Sequence, residues 1–222
     1  MIALLRYQAA LLVRSQRWLP PLLLYVAFMG IGVQAGQPIL DSFGFAAAGV
    51  LPVAAWMVRV CVTNEPAAAR ACAAAAQGPG RVHLAGVLTA LGAAVVLGGA
   101  GTLFVALVGD PRSADGRVGV PVAPAAVAGL LAALACALLG TAVGALCNRP
   151  LLRRPGWAVL STALAALLVS VVGASPANAA VSGLVNGSRS GTVTMPLVPL
   201  AATAVLAAGA TAVACVVSSR RQ

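Results

Sequence analysis

Residues 123–156 read APAAVAGLLAALACALLGTAVGAL followed by CNRPLLRRPG, an uncharged apolar run that leads into three arginines. A helix needs about 20 mostly apolar residues to cross the ~30 Å hydrocarbon core of a bilayer. Residues 123–146 meet that requirement, and arginine is enriched in the loops that stay on the cytoplasmic side. The stretch therefore predicts a membrane-spanning helix that ends at the cytoplasmic surface.

The composition of the whole chain agrees with this interpretation. Hydrophobic residues make up 61% and charged residues only 8%, and the mean hydropathy is +0.99. Soluble domains carry about a quarter charged residues, so a soluble globular protein is excluded. Backbone groups find no water in hydrocarbon, which favours helices. We predict an all-α polytopic membrane protein with one transmembrane domain over residues 1–222 and six spans: 18–36, 43–62, 83–108, 123–146, 157–174 and 196–217.

All fourteen basic residues are arginine, and six spans would distribute them unequally between the two sides of the membrane. Eleven would share the side of both termini: Arg6, Arg14, Arg17, Arg59, Arg70, Arg81, Arg149, Arg153, Arg154, Arg220 and Arg221. The positive-inside rule then predicts that both termini are cytoplasmic. We interpret these arginines as contacts to anionic membrane lipid. A nucleic-acid partner is not expected, because the arginines are dispersed and aromatic residues are only 4%.

Three shorter segments complete the predicted layout. Residues 1–17 place their arginines opposite their leucines, which is typical of an interfacial amphipathic helix. Residues 64–77 predict a cytoplasmic helix in which Thr63 or Asn64 is the cap and Pro66 lies in the first turn. Residues 175–195 are too weakly apolar to cross, and we expect a short re-entrant segment on the outer side. The lack of lysine and the abundance of alanine and glycine are typical of a GC-rich bacterial genome, so we expect the bacterial cytoplasmic (inner) membrane.

The sequence offers no catalytic or metal-binding pattern. His83 is the single histidine, and the five cysteines have no zinc-site spacing. A Walker phosphate site needs a lysine, and the chain has none. No carboxylate is predicted at mid-membrane, which argues against ion-coupled transport. For Arg59, the one charge near a span interior, we expect either contact with headgroups or pairing with Glu65, and a gating role is the alternative.

The order of these elements resembles the membrane domain of ABC type-2 exporters: an in-plane helix, six spans, a helical first inner loop, a short second inner loop and a dipping segment before the last span. The resemblance implies a permease subunit that pairs with a second copy of itself or a homologue. Each copy would bind a separate ATP-binding cassette subunit, which holds ATP and Mg²⁺, so no cofactor is expected in this chain. The first inner helix would couple to that ATPase through Asn64, Glu65, Pro66, Ala67 and Arg70, with a smaller contribution from Arg149 and Arg153.

The resemblance also implies a substrate path along spans two and five, here Ala54, Val58, Leu164, Leu168 and Val172. Such an apolar path suits a hydrophobic or amphipathic cargo, for example a peptide, an antibiotic or a lipid. The alternative is a membrane scaffold or immunity protein that binds a partner helix in the bilayer. A secondary transporter ranks third, since buried carboxylates and an inverted repeat are missing.

The arginine distribution predicts that a peptide tag placed after Gln222 is protected from protease added outside sealed cells. Immunoblotting before and after permeabilisation measures this directly. Cleavage of the tag in sealed cells would contradict the predicted orientation.

Overall fold

The computed structural model describes residues 1–149 and 154–220 of the chain. Arg153, Arg221 and Gln222, on which three of the predictions above fall, lie outside the described residues. The fold is all-α, as predicted. Within the described residues the helices are α1 (Ile2–Ser15), α2 (Leu19–Gly32), α3 (Ile39–Asn64), α4 (Ala67–Gln77), α5 (Pro79–Val108), α6 (Val122–Cys147), α7 (Pro155–Val171), α8 (Pro176–Ser190) and α9 (Leu197–Arg220).

Four helices are long and apolar enough to cross a membrane: α3, α5, α6 and α9. A fifth span results if α7 and α8 are counted together, because the pair passes the same test with a bend of 43° between its halves. The described chain therefore has the helices of a multi-pass membrane protein, with four spans or five by length and composition.

The first predicted span forms a shorter helix than expected. Helix α2 has 14 residues and is about 21 Å long at 1.5 Å per residue. Pro20 and Pro21 lie in its first turn, and the backbone of Val33 is extended, which ends the helix. Six spans are therefore not shown by helix length.

The segment predicted to be re-entrant, residues 175–195, contains helix α8. It continues from α7 after the bend and ends where Gly191 adopts a positive φ of 69°. Leu184 of α8 is fully buried, and Val181 and Val185 pack against Gly44 of α3. Helix α8 is thus part of the bundle.

Helix α3 lies at the centre of the bundle. In the apolar 18-residue stretch that qualifies α3 as a span, 72% of the residues are buried in the protein, whereas 17% are buried in the corresponding stretch of α9. Helix α2 packs on one side of α3, where Phe28 stacks on Phe45 with ring centroids 4.1 Å apart. On the same side the hydroxyl of Tyr25 donates a hydrogen bond to the carbonyl of Ala46 at 3.2 Å.

Two glycines bring α6 into backbone contact with α3. A Cβ placed on Gly144 would lie 2.7 Å from Cβ of Val58 and 2.8 Å from the carbonyl oxygen of Ala55. A Cβ on Gly140 would collide with the carbonyl oxygen of Leu51. The Gly140–Gly144 pair is a small-xxx-small pattern, and in this chain it joins two helices of the same bundle.

The two ends of the bundle differ in chemistry. At one end, which we call the basic end, α1 packs against the last turns of α3 and the first turns of α5, and α4 packs against α5. At the opposite end, backbone hydrogen bonds join the α5–α6 connection to other helices: Ile39 of α3 donates to Asp110, and Ala114 donates to Ser188 of α8, both at 2.9 Å.

We expect Gly144→Val to lower the thermal unfolding midpoint in detergent, because the added methyl groups would meet backbone and Cβ atoms of α3. Overpacking of this kind costs about 1–3 kcal/mol. Gly92→Val is the matched control, since no atom lies within 4 Å of a Cβ at Gly92. Equal midpoints for the two variants would show that the α3–α6 contact does not limit stability.

Candidate functional site

The corner between α3 and α4 is built around Glu65. The backbone of Glu65 is extended, with φ −78° and ψ 127°, and this conformation ends α3 and redirects the chain into α4. Its side chain is only 2% exposed, and Oε2 lies 3.8 Å from Nε of Arg70. Oε2 also accepts a hydrogen bond from Nε2 of Gln8 at 3.3 Å. A buried carboxylate requires such partners because its desolvation is costly.

Arg70 completes this corner. Its guanidinium donates a hydrogen bond to the carbonyl of Val62, one of the last carbonyls of α3, which have no partner within the helix. Burial lowers the pKa of Arg70, the negative charge of Glu65 raises it, and the positive charge of Arg149 lowers it. Arg149, predicted as a minor coupling residue, follows the C-cap of α6 and is exposed.

The structure corrects the predicted start of the cytoplasmic helix. Asn64 is the last residue of α3, and its side-chain amide donates to the carbonyl of Leu11 in α1 at 3.1 Å. The hydroxyl of Thr63 bonds back to the carbonyl of Arg59 at 2.8 Å. Neither residue caps α4, which begins at Ala67 after Pro66. Glu65 is buried and Asn64 is half-buried, and the side chains of both bond to α1 and hold it against the corner.

Helix α4 exposes a face made of small side chains. Ala74 is buried, while the other face is open: Ala67, Ala68, Ala71, Cys72, Ala75 and Ala76. Gly78, at a φ of 85°, ends the helix and lets α5 start at Pro79. The corner therefore holds a short, uncharged, slim helix face at the surface of the basic end.

Arg59 pairs with Asn148, and the predicted pairing with Glu65 is wrong. Its Nη1 donates to Oδ1 of Asn148 at 3.3 Å. Asn148 is only 1% exposed, and its amide nitrogen donates to the carbonyl of Gly144 at 2.9 Å and to the hydroxyl of Thr162 at 3.3 Å. The amide therefore links the ends of α3 and α6 to α7.

Beside this amide, an elongated groove runs between α2, α3 and α7. Its volume is about 400 Å³. Leu24, Pro52 and Trp56 form one wall, and residues of α7 from Val159 to Ser170 form the other. Arg59 lies at the basic end of the groove.

The residues predicted to line the substrate path fall into a buried group and an exposed group. Ala54 and Val58 are completely buried against Gly140 and Gly144 of α6, so they line no surface, and their assignment to a path is not supported by this packing. The three predicted residues of span five are half exposed: Leu164, Leu168 and Val172.

Over the described residues, no group of three or more His, Cys, Asp or Glu side chains is placed to hold a metal ion. Nε2 of His83 is buried without a hydrogen-bond partner. Comparison with protein-family models, curated proteins and solved structures finds no match to this chain. Its function must therefore be argued from the geometry of the basic end.

Sequence reasoning missed Gln8, Asn148 and Thr162. Gln8 carried a usable signal, because it lies one turn from Leu4 and Leu12 and shares their buried stripe. Asn148 follows an uncharged span directly, which makes it a candidate for a buried amide. Nothing in the sequence indicates that Thr162 faces Asn148, since that contact depends on how α7 packs.

We expect Glu65→Gln to destabilise the protein, because the half-buried Arg70 loses its ion pair with a carboxylate that is only 2% exposed. The expected loss is about 1–3 kcal/mol. Asp110→Asn is the matched control: its pair with Arg112 has the same 3.8 Å separation, but the aspartate side chain is 37% exposed. An exposed pair is worth about 1 kcal/mol at most. Thermal unfolding of both variants tests this, and equal effects would refute a structural role for Glu65.

Proposed function

We propose that this chain is the membrane-spanning permease subunit of an ABC exporter, coupled to a separate ATPase subunit and moving a hydrophobic or amphipathic cargo. The observation that carries the proposal is the exposed small-residue face of α4, fixed at the basic end by the ion pair between buried Glu65 and half-buried Arg70. A helix that transmits motion has to be attached rigidly to the bundle and free on its outer face. Helix α4 meets both requirements.

The proposed topology has six crossings, with both termini in the cytoplasm. Two termini on one side require an even number of crossings. The four long helices and the α7–α8 pair give five, and α2 supplies the sixth if Trp18 and residues 33–36 extend its reach through the headgroup regions. Helix α1 then lies in the plane of the inner surface, with Leu4, Gln8 and Leu12 turned toward the bundle.

The coupling surface in this proposal differs from the one that the resemblance implied. Pro66 and Ala67 remain at the surface, joined by Ala71 and Ala75 one and two turns further along. Glu65, Asn64 and Arg70 act behind that surface, by holding α4 to α3 and α1. Arg149 is exposed beside them and is available as a second contact, and Arg153 lies outside the described residues.

Cargo would meet the chain on the exposed apolar face of α7, which includes Leu164 and Leu168 and continues to Val172 just after the helix. No charged residue belongs to this helix between Gly156 and Val171, so the face favours apolar groups over ions. A second copy of the chain or a homologous permease would enclose that face. ATP and Mg²⁺ would be bound by the ATPase subunit.

The test is purification of the chain from membranes of its native host, with mass spectrometry of the co-purifying proteins. We expect a stoichiometric soluble subunit that contains a phosphate-binding loop. Ala71→Trp should reduce its recovery about tenfold or more, because a large side chain blocks a slim contact face. Ala179→Trp, at an exposed alanine of α8, should leave recovery unchanged.

Two outcomes would contradict the proposal in different ways. A clean preparation without an ATPase would exclude the exporter and favour the scaffold or immunity protein. An ATPase that still binds the Ala71→Trp variant and is still stimulated by it would retain the exporter and reject α4 as the coupling surface.

A further inference from the structure

The groove between α2, α3 and α7 combines an apolar wall with one charge. Of its described lining residues, Arg59 alone is charged, and two others are polar, Thr162 and Ser170. Both hydroxyls are already used: Thr162 donates to the carbonyl of Ala158 at 2.6 Å, and Ser170 donates to the carbonyl of Ala166 at 2.8 Å. The groove therefore offers an apolar channel that leads to a guanidinium.

The charge of Arg59 is not compensated within the described chain. The ion pairs there are Arg70 with Glu65 and Arg112 with Asp110, and no carboxylate lies within 4.0 Å of Arg59. A guanidinium has five N–H donors, and among the described residues the one side-chain partner of Arg59 is the neutral amide of Asn148. Asn148 is itself fixed by two further hydrogen bonds. Arg59 is thus held in place, and its guanidinium retains N–H donors that make no hydrogen bond within the described chain.

The dimensions of the groove match one leaflet of a bilayer. Val159 and Ser170 are eleven residues apart on α7, which corresponds to about 16 Å of helix. Half of the ~30 Å hydrocarbon core is about 15 Å. An acyl chain lying along the groove would therefore place its headgroup at Arg59, on the arginine-rich side of the bundle.

We propose that this groove is a binding site for an anionic phospholipid of the surrounding membrane, with the phosphate at Arg59 and one acyl chain against Trp56 and α7. Charge complementarity selects the lipid. The groove supplies one cation and an apolar wall, and an anionic phospholipid supplies a negatively charged headgroup and apolar acyl chains. The site requires only that the bundle lies in a bilayer, so it does not depend on an ATPase or on transport.

Trp56 provides a reporter inside the groove, since it is a lining residue with 39% of its surface exposed. The protein is prepared with Trp18→Phe and Trp157→Phe, which leaves Trp56 as the single tryptophan, and is reconstituted in phosphatidylcholine vesicles. Brominated phosphatidylglycerol or brominated phosphatidylcholine is then titrated, because bromine quenches a tryptophan that it contacts. We expect phosphatidylglycerol to reach half-maximal quenching at an about fivefold lower mole fraction.

The following variants test the headgroup contact and the acyl-chain contact separately. Arg59→Gln should abolish the preference for phosphatidylglycerol, whereas Arg59→Lys should retain most of it and Arg112→Gln, at the opposite end, all of it. Ala163→Phe, at an exposed lining residue of α7, should fill the groove and reduce quenching by both lipids. This variant leaves Arg59 and Asn148 intact, so it tests the site even if Arg59→Gln fails to fold.

Three results would overturn the inference. Equal quenching by the two lipids would show that charge does not select the lipid. A preference for phosphatidylglycerol that survives in Arg59→Gln would show that the headgroup binds elsewhere. Absence of quenching by either lipid, unchanged in Ala163→Phe, would show that a second copy of the chain covers the groove. Failure of the exporter proposal would alter none of these readouts.

Discussion

The backbone contact between α3 and α6 is the constraint on which the arrangement of the other helices depends. Lipid tails are as apolar as the helices, so burial of apolar surface does not drive helices together inside a membrane. Close packing must do so, and Gly140 and Gly144 permit it by removing the side chains that would separate α6 from the carbonyl groups of Leu51 and Ala55. With α6 in place, α3 has little surface left for lipid.

The remaining elements use the central helix as their support. Helix α2 stacks Phe28 on Phe45 of α3, and α8 places Val181 and Val185 over Gly44. In each case a small residue or a flat ring allows the neighbour to approach closely. Helices such as α9, which contribute fewer buried residues, lie at the periphery. The core is therefore organised around one helix, and the surfaces left for partners belong to the outer helices.

The polar groups of the basic end have a different task. Glu65, Arg70 and Gln8 tie α1, α3 and α4 together. Glu65 and Gln8 are buried, and there each interaction is stronger than at the surface and each missing partner is more costly. Asn148 ties Arg59 to α7 in the same way. Each cluster fixes the position of an exposed group. The first cluster positions the small-residue face of α4, and the second positions the guanidinium of Arg59 beside the groove. The internal polar contacts thus orient the surfaces proposed for partner and lipid.

The sequence by itself determined the class of protein and the position of nearly every helix. Uninterrupted apolar runs of about 20 residues leave the backbone no alternative to helix in hydrocarbon; arginine, proline and glycine mark where the runs end, as Pro79 and Gly78 do between α4 and α5. It could not determine how many helices span, because α2 is short and α7 continues into α8, and helix length in such cases depends on local turns. Tertiary structure alone decided which side chains are buried. Glu65 is charged and would be expected at the surface, but it lies in the interior. Ala54 and Val58, which were assigned to the substrate path, are buried against α6. The physical reason is that hydropathy indicates whether a segment prefers hydrocarbon to water. In a lipid-exposed bundle the interior and the exterior are both apolar, and only packing distinguishes them.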